Sequence, residues 1–133
     1  MRFSARQNSQ EGFSLLELMI AMFIMIILLS IALPTYNRSV QHARETVLSE
    51  NLWQMRRAID QYRADKGRLP ASVEDLVTNE YLREMPIDPI SQKTEWDEIM
   101  GDDQMSPDAE QGLVNVKSAS EGKDMDGKEY KEY

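Results

Sequence analysis

The chain has 133 residues, a formal net charge of −8 at pH 7 and no cysteine. This length allows one small domain and an accessory segment, and the missing cysteines exclude disulfides and thiol chemistry. Residues 84–133 carry 14 acidic and 5 basic side chains, whereas residues 34–83 carry 7 acidic and 8 basic ones. Residues 84–133 are acidic and contain no basic stripe that could neutralise phosphates, which excludes nucleic acid as a partner.

The N-terminal 33 residues divide into a polar stretch and an apolar stretch. Residues 1–12 are polar and include Arg2 and Arg6, whereas residues 13–33 contain a single charge, Glu17. As a helix, the apolar stretch would be about 31 Å long, which matches the thickness of a bilayer's hydrocarbon core. The alternative is a buried core helix, but no other part of the chain is apolar enough to cover it. We therefore predict one membrane-spanning helix, with the two arginines on the cytoplasmic side.

Beyond Pro34 the apolar residues continue at helical spacing but occupy one side only. They are Val40, Ala43, Val47, Leu48, Leu52, Met55, Ile59 and Tyr62. Charged residues take mainly the other faces, which is typical of an amphipathic helix. Lys66 and Gly67 then supply a cationic last turn and a stop. The pattern predicts one helix over residues 13–66, with Pro34 as the place where a kink is expected.

The rest of the chain has the signals of short elements. Residues 72–75 (SVED) resemble a capping box and predict a helix to about residue 78. Residues 85–89 (MPIDP) predict a rigid extended loop, because each proline disfavours helix at the residue before it. Strand candidates cover residues 94–100, 112–118 and 128–133. The predicted fold class is α+β: a long N-terminal helix, transmembrane in its first half, with a small antiparallel C-terminal β-sheet packed on its second half.

A candidate processing site precedes the apolar helix. A secretory signal peptide has its cleavage site after the apolar region, whereas Gly12 and Phe13 lie before it, so cleavage there would leave the helix attached. Glu17 is costly within a membrane span. A new amino group on Phe13, one helical turn away, would provide that carboxylate with a partner.

These residues resemble a known family. Residues 12–19 (GFSLLELM), the apolar helix and residues 33–36 (LPTY) together resemble the N-terminus of type IV pilins and type II secretion pseudopilins. The resemblance implies that a prepilin peptidase cuts between Gly12 and Phe13 and methylates the new Phe13 terminus. It also implies that Glu17 meets the terminal amine of a neighbouring subunit during filament assembly.

The middle of the chain extends this resemblance. Residues 50–70 look like the corresponding stretch of the major, G-type pseudopilin, and Leu76, residues 81–82 and residues 85–89 fit it too. Residues 97–111 do not match the usual loop of that subunit. The missing cysteines favour this branch, because many type IV pilins resemble one another in a C-terminal disulfide loop that this chain cannot form.

The function implied by the resemblance is structural, not enzymatic. Residues 1–12 would be a cleaved leader, residues 13–33 the filament-core helix and residues 34–133 a periplasmic domain. The implied partners are further copies of the chain, minor pseudopilins, the prepilin peptidase, the inner-membrane assembly platform with its ATPase, and membrane lipid. Two alternatives stay open: a type IV pilus subunit, and a membrane-tethered binding module that never polymerises. The only histidine, His42, has no partners for acid–base catalysis.

A calcium site is a further implication. Major pseudopilins resemble one another in a calcium-binding loop of the C-terminal sheet. Residues 118–127 (SASEGKDMDG) offer oxygen ligands from Ser118, Asp124 and Asp126, which suit a hard cation. An ordinary solvated Asp-Gly turn would have the same composition. The sequence therefore leaves both a calcium site and a plain turn open.

Overall fold

The computed structural model describes residues 11–106, 108 and 110–133. Its elements are helix α1 (Leu15–Lys66), helix α2 (Val73–Thr78), strand β1 (Trp96–Gly101), strand β2 (Gly112–Ser118) and a 3-10 turn (Tyr130–Glu132). The predicted α+β architecture with a long N-terminal helix is therefore confirmed. The chain divides into two compact units, which meet between Arg38 and Ser39 within α1.

In the first unit, every described residue is exposed. The helix continues through Pro34, although this residue has no N–H to donate to the carbonyl one turn before it. Two hydroxyls bond to carbonyls in this stretch: Ser30 Oγ donates to Ile27 O at 2.7 Å, and Thr35 Oγ1 donates to Ile31 O at 3.0 Å. The apolar surface of this unit has no covering element within the described chain.

The second unit has its own hydrophobic core. The predicted stripe on α1 is buried from Leu48 onward, and Leu48, Leu52, Met55, Ile59 and Tyr62 are each 2% exposed or less. They form one cluster with residues of every later element, namely Val73, Leu76, Leu82, Trp96, Leu113, Val116 and Tyr130. The apolar stripe therefore needs the whole C-terminal half of the chain to cover it.

Helix α2 begins as the sequence predicts. The Ser72 side chain accepts a hydrogen bond from the Asp75 N–H at 3.2 Å. The Asp75 carboxylate reaches back to the N–H of Ala71 at 3.1 Å, one residue earlier than in the standard capping box. Two N–H groups at the start of this short helix are thus satisfied, and Val73 and Leu76 turn inward.

The sheet has two strands among the described residues. β1 and β2 pair antiparallel from Trp96 opposite Ser118 to Gly101 opposite Gly112, with a bulge between Ile99 and Met100. Gly112 is required there, because a Cβ atom would lie 2.5 Å from the Cβ of Leu69.

The prediction of a third strand at residues 128–133 is wrong. Residues Tyr130–Glu132 form the 3-10 turn, and only an isolated bridge joins Lys123 to Glu129. Tyr130 and Tyr133 are three residues apart and their rings lie 5.8 Å from each other. Side chains three residues apart share a face in a 3-10 turn, whereas in a strand they would point to opposite faces.

Candidate assembly site

The candidate processing site lies just before the first turn of α1. Ser14 Oγ accepts the Glu17 N–H at 3.2 Å, which makes Ser14 the N-cap and Glu17 the third helical residue. Gly12 and Phe13 precede the helix in non-helical conformation, and Phe13 is 88% exposed. The Gly12–Phe13 bond is therefore accessible to an enzyme. Of the predicted leader, residues 1–10 lie outside the described residues.

The first turn of α1 has a capping pattern that our sequence analysis missed. Residues 14–17 (SLLE) have the capping-box pattern, in which the acidic residue faces the helix N-terminus. A carboxylate in the first turn is favoured by the helix dipole. The signal was visible in the sequence, and it means that the effect of removing Glu17 has to be separated into a helix-capping part and a charge part.

The helix that follows presents an apolar surface all round. It is the one helix among the described residues that is long and apolar enough to cross a membrane, and its apolar window is entirely unburied. Met19, Met22, Phe23 and Ile26 line a shallow depression of about 190 Å³ on this surface, and each is more than half exposed. Such a surface is stable only against lipid or other protein.

The C-terminal tail is tied to α1 by a buried carboxylate. Glu45 is 8% exposed, and its Oε1 accepts from Gln41 Nε2 at 3.0 Å, from the Tyr130 hydroxyl at 3.1 Å and from the Met125 N–H at 3.2 Å. Burial, followed by the neighbouring Glu45 carboxylate, raises the pKa of Tyr130. Nothing local in the sequence indicates this contact, because Met125 and Tyr130 lie 80 and 85 residues after Glu45.

A second polar contact closes the tail. The Tyr133 hydroxyl donates to Asp124 Oδ2, and this bond, helped by the N–H groups of Lys128 and Asp126, lowers the pKa of Asp124. Burial and the same carboxylate raise the pKa of Tyr133. Arg56 joins the tail to the sheet, since its guanidinium donates to Val116 O at 3.0 Å and to Tyr133 O at 2.9 Å.

A third carboxylate, Asp88, is fully buried in the loop before the sheet. Its Oδ2 accepts from Ser118 Oγ at 2.7 Å and from Ser120 Oγ at 2.8 Å, while its Oδ1 accepts the Ile90 N–H at 2.8 Å. The chain turns immediately after the predicted extended loop, and the Gln92 N–H bonds to Asp88 O at 2.7 Å. Asp88 thus fastens this turn to the end of β2.

Two of the three predicted calcium residues, Ser118 and Asp124, have side-chain partners within the chain. Ser118 Oγ donates to Asp88, and Asp124 Oδ1 accepts the N–H groups of Asp126 and Lys128 at 2.9 and 2.8 Å, as in an Asp-Gly turn. Among the described residues, no group of three or more His, Cys, Asp or Glu side chains is arranged to hold a metal ion. Calcium binding stays a prediction from the sequence, and no step of the proposed function depends on it. His42 is exposed on α1.

Comparison with known proteins agrees with this architecture. Residues 7–33 match the family described as the prokaryotic N-terminal methylation motif. The chain is 27% identical over 132 residues to the type II secretion system core protein G of Klebsiella michiganensis, and the alignment covers 87% of each protein. The predicted resemblance to the pseudopilins is confirmed. No solved structure matches the chain.

The two similarities cover different parts of this pseudopilin-like chain. The methylation motif takes in the candidate processing site and the apolar half of α1. The similarity to the core protein extends over most of the length, and so includes most of the second unit. Because that relative belongs to a secretion system, the type IV pilus alternative is not favoured.

Proposed function

We propose that this protein is the pseudopilin subunit of a type II secretion system, processed by prepilin peptidase and polymerised into a periplasmic filament. It is a structural subunit, not an enzyme. Residues 1–12 are the leader, residues 13–33 the membrane and filament-core helix, and residues 34–133 the periplasmic domain. Before assembly, the processed chain is anchored in the bacterial inner membrane by a single span.

The observation that carries this proposal is the contrast between the two units. The second unit buries its own apolar stripe, whereas the apolar half of α1 is exposed all round and lies within the matched methylation motif. A helix that is apolar on every side requires an apolar environment. The membrane supplies this environment before assembly, and the corresponding helices of other copies supply it in the filament.

Glu17 provides the negative charge with which an incoming subunit pairs during assembly. Cleavage after Gly12 creates a positive amino group on Phe13, and an unpaired charge is strongly disfavoured in lipid. An incoming subunit that offers its Phe13 amine to the Glu17 carboxylate of its neighbour pairs both charges at the same moment. The partners required are the prepilin peptidase, the inner-membrane assembly platform with its ATPase, and minor pseudopilins at the start of the filament.

The charge of Glu17 can be tested apart from its capping role. Glu17→Gln keeps a side chain that can complete the capping box, whereas Glu17→Ala removes both this side chain and the charge, and the Ser14 cap stays in each variant. In cells without the wild-type chain, we expect both variants to insert into the membrane and both to lose sheared filaments. Filaments at normal yield from Glu17→Gln would show that the cap, and not the charge, is what assembly needs.

Processing is tested by intact-mass analysis of the membrane-extracted protein. We expect a chain that starts at Phe13 and carries one added methyl group. The control is Gly12→Val, whose added bulk at the cleavage position should block the peptidase and leave the uncut chain. A wild-type chain that still starts at Met1, in cells with an active prepilin peptidase, contradicts the proposal.

A further inference from the structure

One flank of the globular unit carries a basic groove. It has a volume of about 370 Å³, and its lining includes Trp53, Arg57, Gln61, Tyr81 and Arg83. None of the described residues that line it has a carboxylate. Trp53 is 54% exposed, and the Arg57 guanidinium lies 5.3 Å from the centre of its indole ring. Exposed tryptophan beside arginine is typical of protein–protein interfaces.

The two arginines of this groove are available to an outside partner. Arg57 and Arg83 form no ion pair with any residue that the structure describes, so the lining carries two positive charges and no negative one. The Asp65 carboxylate reaches the groove only through the Tyr81 hydroxyl, at 2.9 Å. An anionic protein surface is therefore the partner that this groove fits.

An acidic surface of the same chain lies along β1 and the loop after it, residues 95–106, which we call the β1 segment. It contains five carboxylates and no lysine or arginine. Two of the five are engaged, because Asp103 pairs with Arg63 at 3.8 Å and Glu98 accepts the Val73 N–H at 3.1 Å. The exposed members of the segment include Glu95, Asp97, Asp102, Met100 and Met105.

The basic groove and the β1 segment lie on opposite flanks of α1. The helix contributes Gln54 and Ala58 to the groove, and Asp60 and Arg63 to a cleft that Asp102 also lines. Successive helical residues are rotated by about 100°. The first pair therefore lies on one side of the buried stripe and the second pair on the other side, so one copy cannot bring both surfaces together.

We propose that the basic groove of one copy binds the β1 segment of a second copy. This inference rests on the proposed function and specifies which domain surfaces meet in the filament. A groove-to-groove dimer would bring four uncompensated arginines together, whereas groove-to-segment contact pairs arginines with carboxylates and places exposed methionines against Trp53. Two different surfaces on opposite flanks form a heterologous contact, which repeats into an open filament instead of closing as a dimer.

Cysteine cross-linking tests the contact directly, because the natural chain has no cysteine. Gln61→Cys places a thiol in the basic groove and Met105→Cys places one in the β1 segment. With both substitutions in one chain, oxidation of assembled filaments should give a ladder of dimers, trimers and higher species. Either single variant should stay monomeric, and co-expression of the two single variants should give dimers only.

The matched control replaces Met105→Cys by Glu121→Cys, an exposed acidic position outside the β1 segment. An equally strong ladder from Gln61→Cys with Glu121→Cys would overturn the inference. So would strong dimers from Gln61→Cys alone, which indicate a groove-to-groove contact, or cross-links to a different envelope protein in place of another copy.

Charge reversal provides a second readout. Arg57→Glu with Arg83→Glu should lower the yield of sheared filaments by about tenfold or more, since like charges then face each other across the contact. Arg44→Glu, an exposed arginine outside the groove, is the control and should assemble normally. Normal yield from the double reversal overturns the inference and leaves the proposed function intact. If the wild-type chain itself yields no filaments in cells with the assembly machinery, the proposed function fails.

Discussion

The two halves of α1 share one backbone and have opposite surroundings. In the first half Leu28 is 61% exposed, although it lies in the most apolar stretch of the chain. In the second half Leu52 is 1% exposed, although charged residues surround it in the sequence. Burial within a chain therefore depends on whether other elements cover a position and not on local hydrophobicity alone.

The difference follows from the arrangement of the apolar side chains. A single stripe can be covered by one layer, and here α2, the sheet and the tail form that layer. A helix that is apolar on all sides needs cover on all sides, which a domain of this size cannot supply. In the first half the apolar surface stays uncovered, whereas in the second half the stripe is buried.

The largest expected effect comes from placing the same charge in each half. In a fragment that starts at Ser39, Leu52→Asp should cost several kcal/mol, because the core offers the carboxylate no partner. A domain this small is stable by only about 5–15 kcal/mol, so we expect a protein without a cooperative thermal transition. The measurement is a melt followed by circular dichroism.

Leu28→Asp in the full chain is the matched substitution. It should leave the melting midpoint of the domain unchanged in detergent, while membrane insertion becomes less efficient because a charge enters the span. If Leu28→Asp abolished the thermal transition of the domain as Leu52→Asp is expected to do, the two halves would not be independent and the comparison would be wrong.

Sequence pattern was sufficient for the parts of the fold that depend on local periodicity. The bounds of α1, the Ser72 cap of α2 and the pairing of two strands follow from spacing, caps and β-forming residues. The 3-10 turn at residues 130–132 was missed, because two tyrosines three residues apart also fit a short strand that only weakly alternates. Pairing across a sheet is non-local, and a short segment gives little sign of its absence.

For the candidate site, the N-terminal motif was readable and the polar contacts of the domain were not. Gly12, Phe13 and Glu17 stand in one contiguous motif. Asp88 and Glu45 look like ordinary surface acids in the sequence, since the hydroxyl groups that bond to them lie 30 to 85 residues away. Only the folded chain reveals that they are buried.

Removal of Asp88 should have the next largest effect. Asp88→Ala leaves the hydroxyls of Ser118 and Ser120 without their buried acceptor, and we expect a loss of about 3 kcal/mol in the free energy of unfolding. Asp126→Ala removes an exposed carboxylate and should change stability by less than about 0.5 kcal/mol. Urea unfolding of the two fragments gives both values, and equal values would mean that Asp88 does not fasten the sheet.

Two buried tyrosines allow a finer comparison inside the domain. The Tyr130 hydroxyl bonds to Glu45, so Tyr130→Phe should cost about 1–2 kcal/mol. The Tyr62 hydroxyl is buried and has no partner with hydrogen-bond geometry in the described part of the chain, although burial and the nearby Asp75 carboxylate raise its pKa. Tyr62→Phe should therefore be neutral or slightly stabilising. A loss on Tyr62→Phe as large as on Tyr130→Phe would show that this hydroxyl has a partner, such as a bound water.

The smallest expected effect is the alkaline response of the tail. Burial and neighbouring carboxylates raise the pKa of Tyr130 and Tyr133 in the folded domain. A raised folded pKa contributes stability that is present below the unfolded value, about 10 for tyrosine, and that is lost as the pH rises towards the folded value. The domain should therefore lose stability as the pH rises above about 10.

Tyr133→Phe measures how much of this alkaline loss of stability is due to the Tyr133 hydroxyl. The variant keeps the ring that packs on Tyr130 and lies under Lys128, so lysine titration affects both proteins alike and cancels in the difference. At pH 7 the variant should be less stable than the wild type, because Asp124 loses its hydroxyl donor, and the gap should narrow as the pH rises beyond about 10. Thermal melts at pH 7 and above about pH 10 measure this difference in stability between the variant and the wild type. A gap that stayed constant would mean that the pKa of Tyr133 is the same in the folded and the unfolded chain, and that the tail is not closed by this contact.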